Sequence, residues 1–425
     1  MKRCLLLLLF LLNAGCVCAQ EMRVHQIPVL GERVDYVEAM ISKNGVLHLV
    51  VRRIGPEWER SPGRTWMHHA QIYYVRLEAN RFSTPIPLSD TIAEFSGGYS
   101  GEAASLPAHM TVSDDGSVFV AWSAHRQYWD DVGSTKMLST PQLCVARIDR
   151  DSLEVLTKMP RHVLACMTRD GKGRLHLFSD IDDSLVYSIV SEAHAVRLQR
   201  VFGRWEGKVF FDMGADERGV LAYRKDARAR ILALYLLADG SFSEVPVPMG
   251  YDWMEDVVMD NEKRAHLVTT LNDKKQFVLR AGNGSIEIDS TPQGHPCAFS
   301  LDRSGGEFAL IAANWRDSTK QLHPRWNWWT NAEGRGRLFL NPSHIDAEAH
   351  SIWPVRTPAG RAYVFVDTPT PAVFNSAGEG RIIAFTLPKD NGATSTTHVC
   401  LDEKGTAWIS TWGGTLYEIP FALKK

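Results

Sequence analysis

Short apolar runs of strand length, such as Ala108-His-Met-Thr-Val112 and Val118-Phe-Val-Ala-Trp122, alternate with polar turns along most of this chain. Eight times a Ser, Thr or Asp stands three residues before the place where a glycine closes such a turn. The instances are Ser42-Lys-Asn-Gly45, Ser113-Asp-Asp-Gly116, Thr168-Arg-Asp-Gly171, Asp216-Glu-Arg-Gly219, Asp260-Asn-Glu-Lys263, Asp302-Arg-Ser-Gly305, Thr357-Pro-Ala-Gly360 and Asp402-Glu-Lys-Gly405, the fifth lacking its glycine. The side-chain oxygen bonds a backbone N–H two residues on, and the glycine takes the positive φ that closes a hairpin. From Gly45 the steps between turns are 71, 55, 48, 44, 42, 55 and 45 residues. A four-stranded propeller blade takes roughly 40–50 residues. The pattern therefore predicts an all-β, eight-bladed β-propeller, with seven blades the runner-up if one repeat is degenerate. The segment Arg23-Val-His-Gln-Ile-Pro-Val-Leu30 precedes the first repeat and is expected beside Thr415-to-Pro420, so that both chain ends share the last blade.

The first nineteen residues read as a secretory signal peptide. Lys2 and Arg3 precede the apolar Leu5-to-Leu12 run, and Val17-Cys-Ala19 supplies a small-residue cleavage site. The expectation is an exported protein, periplasmic or extracellular, with residues 20–425 forming a single propeller domain. Asn13-Ala-Gly-Cys16 resembles a lipobox, so a lipid anchor through Cys16 is the minority alternative. No later stretch reaches the ~20 apolar residues of a transmembrane helix. A net charge of −2 argues against a nucleic-acid partner. Of the cysteines beyond the leader, Cys144, Cys166, Cys297 and Cys400, only Cys144 and Cys166 fall on neighbouring blades; small buried thiols are the other reading.

The candidate chemistry lies in the long insertions, which fall opposite the short first hairpins. These are Arg52-to-His69, Ser89-to-Pro107, Trp122-to-Met137 and Asn314-to-Arg325. Loops on a rigid scaffold carry most binding groups. His125, Arg126 and Tyr128 supply a base, a cation and an acid within one segment, with His68 or His69 as the substitute base. Trp58, Arg64, Trp66, Trp129, Trp315 and Arg316 are the candidate substrate-binding residues, because tryptophan faces stack on sugar rings and arginine forks bind carboxylate. Asp130 and Asp131 form the paired carboxylates that a hydrolase would use. His109, His162, His295, His350 and His398 stand where crossings enter first strands. Of these, His109, His295, His350 and His398 are candidate ligands of a divalent metal at the channel mouth. His48, His176 and His266 recur as Leu47-His-Leu, Leu175-His-Leu and Ala265-His-Leu, a structural position between blades.

The order of a Leu-His-Leu strand, an acidic turn and a Leu-x-Tyr strand in Gly173-Arg-Leu-His176-Leu-Phe-Ser-Asp180-Ile-Asp-Asp-Ser-Leu185-Val-Tyr187-Ser resembles exported BNR-repeat, sialidase-like propellers. Among these it is similar to the polysaccharide lyase and rhamnosidase propellers. Complete sialidase Asp-boxes, an arginine triad and the quinoprotein tryptophan-docking motif are missing. The resemblance implies a carbohydrate-active enzyme working on an anionic, uronate-containing glycan, a lyase in preference to a glycoside hydrolase. The alternative is a non-catalytic propeller that binds a glycan or a protein.

Overall fold

The computed structural model describes residues 22–420 except 30–32, 57, 62–64, 96–100, 106–107, 114, 130–134, 138–139, 192–195, 215–216, 227–230, 239, 260–263, 272–274, 283–284, 291–294, 302–306, 317–321, 331–336, 339–350, 360, 368–371, 376–379, 383–395 and 412–413. The expected leader and Asp130 and Asp131 lie outside these residues, as do Arg64 and His350.

Among the described residues the strands form eight antiparallel sheets, here numbered 1 to 8 in chain order. Their first strands are Arg33–Ile41, Ala108–Val112, Val163–Arg169, Glu206–Met213, Tyr251–Met259, His295–Leu301, Ser351–Arg356 and Thr396–Leu401. Each first strand touches the first strand of the next sheet, and Thr396–Leu401 touches Arg33–Ile41. This is the arrangement of a β-propeller, with first strands innermost. Sheet 8 takes its fourth strand from the other end of the chain: Arg23–Gln26 pairs antiparallel with Thr415–Pro420, from Arg23↔Glu418 to Gln26↔Thr415. Glu418 fastens it through His25 Nε2 at 2.9 Å and Arg23 at 3.6 Å.

Stacking explains the sequence of the middle strands. A sheet between two others is apolar on both faces, so its strands read as continuous apolar runs. Leu47-His-Leu-Val-Val51 is buried throughout. One core cluster joins Val50, Ile72 and Tyr74 of sheet 1 to Val118, Val120 and Trp122 of sheet 2. Another joins Phe119, Ala121 and Val145 of sheet 2 to Leu164, Leu175 and Leu177 of sheet 3.

The turn glycines take the expected positive φ, but of the side-chain oxygens Asp402 accepts from the N–H two residues on, at Lys404, whereas Ser42 accepts from the Val46 N–H and Ser113 donates to the Ser117 carbonyl. Gly45, Gly116 and Gly405 have φ of 85°, 86° and 86°, and each donates its N–H to the carbonyl of Ser42, Ser113 or Asp402. Two registers differ from the sequence pattern. In sheet 3 the turn runs from Asp170 to Gly173 (φ 87°), displacing the Thr168–Gly171 match. Asp170 wins because its carboxylate accepts from the N–H of Lys172 and Arg174, each at 2.9 Å, and from Arg174 Nε at 2.7 Å. Before the second strand of sheet 4, Glu217 carries the positive φ of 66°, while Gly219 begins the strand.

The recurrent second-strand histidines are structural, as expected. His48 Nδ1 meets the Tyr74 hydroxyl at 2.7 Å, and His176 Nδ1 meets that of Tyr187 at 2.6 Å. His176 Nε2 also bonds Asp170 at 3.0 Å, and His266 is fully buried. Cys144, Cys166 and Cys400 are buried free thiols, so Cys144 and Cys166 are not joined.

Candidate functional site

The expected long loops on sheets 1, 2 and 6 are largely strand. In sheet 1 the third strand Thr65–Glu78 runs past the blade, flanked by Trp58–Ser61 on one edge and Ile92–Phe95 on the other. In sheet 2 the second strand Val118–Trp129 passes the last residue paired with the first strand, Trp122, by seven residues. It continues between Gly101–Ser105 and Thr135–Met137. At about 3.3 Å per residue that extension is ~23 Å long. In sheet 6 Glu307–Arg316 and Leu322–Thr330 pair out to Arg316↔Leu322, whereas the first strand stops at Ala312. All three leave the side opposite the first hairpins. Unpaired backbone in so long an insertion must find hydrogen bonds, and a ladder supplies them.

Strand geometry sorts the candidate residues, because neighbours in a strand belong to opposite faces. Trp122 packs against sheet 1, so Arg126 and Tyr128 occupy positions of that face. Ser123 accepts the Leu164 N–H of sheet 3 at 3.1 Å, so His125 and Trp129 take positions on the sheet 3 side. In sheet 1, Ala70, Ile72 and Tyr74 face sheet 2, which puts Trp66 and His68 in register with that face and His69 on the other. His68 is buried, 7% exposed, and His69 is exposed. The expected group of His125, Arg126 and Tyr128 is therefore divided between two faces. Trp66 and His68 are thus in register with the face of sheet 1 that packs on sheet 2, and Arg126 and Tyr128 with the face of sheet 2 that packs on sheet 1. Trp58 lies on the edge strand of the sheet 1 extension, and Trp315 and Arg316 lie at the tip of the sheet 6 strand.

A second feature sits deeper, on the first strands. Three residues before the end of each stand Glu38, His109, Cys166, Phe210, Asp256, Ala298, Trp353 and His398, in sheet order. These positions form one level. In five strands a β-bulge ends on this residue, at Glu38, Cys166, Asp256, Ala298 and His398. A bulge re-aims the side chain beside it. His109 Nδ1 lies 3.6 Å from Glu38 Oε2, the two side chains being 37% and 26% exposed. Burial among the strands raises the Glu38 carboxyl to about 8, against a smaller opposing bond from the Ala39 N–H. Burial lowers the His109 imidazole, opposed by its bond to the Ala165 carbonyl. Near pH 7 both are neutral. The Trp353 and His398 rings stack at 6.4 Å and 29° in the next pair of sheets.

Of the four expected metal ligands, His350 lies outside the described residues and the other three do not share this level. His109 and His398 are on it, while His295 opens its strand three residues higher, ~10 Å away along the strand. His162 bonds Ser179 Oγ at 2.8 Å. Among the described residues no three His, Cys, Asp or Glu side chains are grouped to hold a metal ion. No helix among them is long and apolar enough to cross a membrane.

No protein-family model matches the chain, and no curated protein matches it. Solved structures do. Prolyl oligopeptidase B from Galerina marginata superposes on 89% of this chain and 54% of its own, with TM-score 0.53 and 11% identity. This chain thus spans about half the length of that enzyme. TolB from Acinetobacter baumannii matches over 75% of this chain and 80% of its own, with TM-score 0.36 and 10% identity. The structural neighbours are β-propeller proteins, and the chain has that fold. At such identities the likeness speaks for the fold alone.

Glu38 was not among the residues singled out by sequence. Its signal is a carboxylate late in a first strand, Val34-Asp-Tyr-Val-Glu38-Ala-Met, where the register predicts close packing.

Proposed function

We propose that this is an exported carbohydrate-active propeller of eight blades, acting as a lyase on an anionic, uronate-containing glycan at the seam between the extensions of blades 1 and 2. The observation that carries the reading is the register that gives His68 and Trp66 the face of sheet 1 opposite Arg126 and Tyr128 of sheet 2. A β-elimination needs a cation at the uronate carboxylate, a base for the adjacent carbon-bound proton, and an acid for the leaving oxygen. Arg126, His68 and Tyr128 have those functions. In an eight-blade ring, blade 6 stands across the axis from blade 2, so Trp315 and Arg316 furnish a facing wall. His125, at a position of the opposite face, has no step in this scheme.

The test is a screen of uronate-containing and sulfated glycans for new unsaturated ends and new reducing ends. The expected result is unsaturated product, reduced 10²-fold or more in His68→Ala and Tyr128→Phe and little changed in His125→Ala. Reducing ends without unsaturation would point to hydrolysis. The burial of His68 favours one second reading, a propeller that binds the glycan without chemistry. In that case glycans bind, no product forms, and His68→Ala lowers stability.

A further inference from the structure

The face of sheet 1 turned away from the glycan seam carries a cation at the foot of the strand extension. Val51, Arg53, Gln71 and Tyr73 share this face, which packs toward sheet 8. A chain of hydrogen bonds leads from the backbone to Arg53. Gln71 Nε2 donates to the Ser89 carbonyl at 2.7 Å, which fixes the orientation of the amide. The Tyr73 hydroxyl donates to Gln71 Oε1 at 2.6 Å, and Thr91 Oγ1 donates to the same oxygen at 3.2 Å. The Tyr73 oxygen is left to accept from Arg53 Nη1 at 3.4 Å. That contact is long for a hydrogen bond, and it uses one of the five N–H donors of a guanidinium. Among the described residues no Asp or Glu is paired with Arg53. Arg53 is half-buried, so it has given up part of its water, and an anion beside it is stabilising.

The positions beyond Arg53 leave room for such an anion. Gly55 stands opposite His69 and donates its N–H to the His69 carbonyl at 2.8 Å. Among the described residues a Cβ on Gly55 would meet only the His69 oxygen at 3.6 Å and the His69 Cβ at 3.8 Å, both ordinary contacts. Next along the same edge comes Trp58, paired with Met67, and Met67, His69 and Gln71 alternate onto one face. This face therefore carries, in order, Arg53, the gap at Gly55 and the position of Trp58, with exposed His69 beside the gap. From Met67 to Gln71 the strand covers ~13 Å, a length that accommodates a six-membered ring and its carboxylate. On the inner side the gap stops at Val34, the first-strand partner of Arg53, where Gly414 of sheet 8 approaches closely. The segment from Arg52 to His69 holds four arginines against two glutamates, in a chain of net charge −2, so the local field favours an anion.

We propose that this face of the blade 1 extension holds a carboxylate ligand that carries a ring, its carboxylate on the Arg53 guanidinium and its ring over Gly55 toward position 58. The planar fork of arginine meets a carboxylate with two parallel N–H donors, and tryptophan is a residue type that stacks on rings. The site lies on the opposite face of sheet 1 from Trp66 and His68, so it stands or falls separately from the glycan reading.

The experiment is a ligand-detected NMR titration of the full chain with benzoate, with acetate, benzyl alcohol and sulfate as comparisons. Saturable binding of benzoate is expected, several-fold tighter than acetate, which lacks the ring, with no binding of benzyl alcohol, which lacks the charge. Arg53→Gln is expected to weaken benzoate about tenfold or more, as for loss of a hydrogen bond to a charged group. Arg53→Lys should weaken it several-fold, because lysine keeps the charge and loses the fork. Gly55→Ala puts a methyl group in the gap and should weaken benzoate while leaving acetate unchanged. Absence of saturable benzoate binding to the wild-type chain overturns the proposal without need of a variant. So does binding that Arg53→Gln leaves unchanged in a folded protein, or binding of benzyl alcohol or sulfate as tight as that of benzoate.

Discussion

Asp170 is expected to contribute more to stability than any equivalent turn residue described, and the amount follows from its bonds. Its carboxylate is fully buried and accepts from two backbone N–H groups, from Arg174 Nε at 2.7 Å and from His176 Nε2 at 3.0 Å. His176 passes the constraint on, its other nitrogen accepting from Tyr187. Asp402 occupies the same turn position in sheet 8, but its bonds are to the N–H of Lys404 and Thr406. Replacement by Asn keeps one oxygen for the backbone donors in both turns. At Asp170 it also removes the charge that Arg174 and His176 meet. Hydrogen bonds to charged groups contribute roughly 1.5–3 kcal/mol each. Asp170→Asn should therefore cost about 2–3 kcal/mol and Asp402→Asn about 1 kcal/mol or less. Urea unfolding followed by circular dichroism, with unchanged m, measures both. Burial opposes ionisation of Asp170, but the bonds from His176 and Arg174 outweigh it and hold the carboxyl below its usual range. Its contribution is thus present above the unfolded value of 3.8 and lost as pH falls through the lower folded value. If the two variants differ by less than about 0.5 kcal/mol at pH 7, the Asp170–His176–Tyr187 chain adds nothing beyond the turn, and the reasoning fails.

Other expectations follow from single contacts. Glu38, raised by burial from 4.5 to about 8, favours the folded state below 4.5 and loses that contribution as pH rises toward 8. Glu38→Gln should therefore gain on the wild type between pH 5 and 8, by at most about 3 kcal/mol, as read from thermal unfolding at both pH values. Glu418→Ala removes the partner of Arg23 and His25, and should cost about 1–2 kcal/mol. It should also speed hydrogen exchange in Thr415–Pro420; unchanged exchange would show that the backbone ladder alone holds the terminal strand. Gly414 has φ +82°, and a Cβ there would stand 2.8 Å from Val34 Cβ. Gly414→Ala should destabilise by about 1–3 kcal/mol, whereas Gly240→Ala, with positive φ but open space, should cost about 1 kcal/mol. Matched denaturation curves check that difference.

The repeat was legible because each blade needs its own tight turn, and a tight turn is local chemistry. Gly45, Gly116 and Gly405 close their turns with positive φ and Asp402 bonds the N–H two residues on, as their motifs imply, and the orphan strand Arg23–Gln26 found the partner left over at the other end. The errors came where two local patterns competed. Thr168-Arg-Asp-Gly171 and Asp170-Gly-Lys-Gly173 overlap, and only the four bonds available to Asp170 choose between them. The strand extensions carried a readable signal too: Trp66, His68, Ala70, Ile72 and Tyr74 recur at every second position, though Met67 and Tyr73 between them blur the alternation. Arginine- and tryptophan-rich composition suggested a loop, but composition does not decide whether a segment finds a ladder partner.

The sequence by itself determined the repeating hairpins, the all-β class and the return of the N-terminal strand to the last blade, since turn chemistry and apolar runs are properties of neighbouring residues. Only the tertiary structure decided which chemical groups share a place. His125 and Arg126 are adjacent in the chain and belong to opposite faces of a sheet. Glu38 and His109 are 71 residues apart and lie 3.6 Å from each other. Strand alternation separates sequence neighbours, and packing of one sheet on the next joins distant ones, so the site depends on register and on stacking between blades.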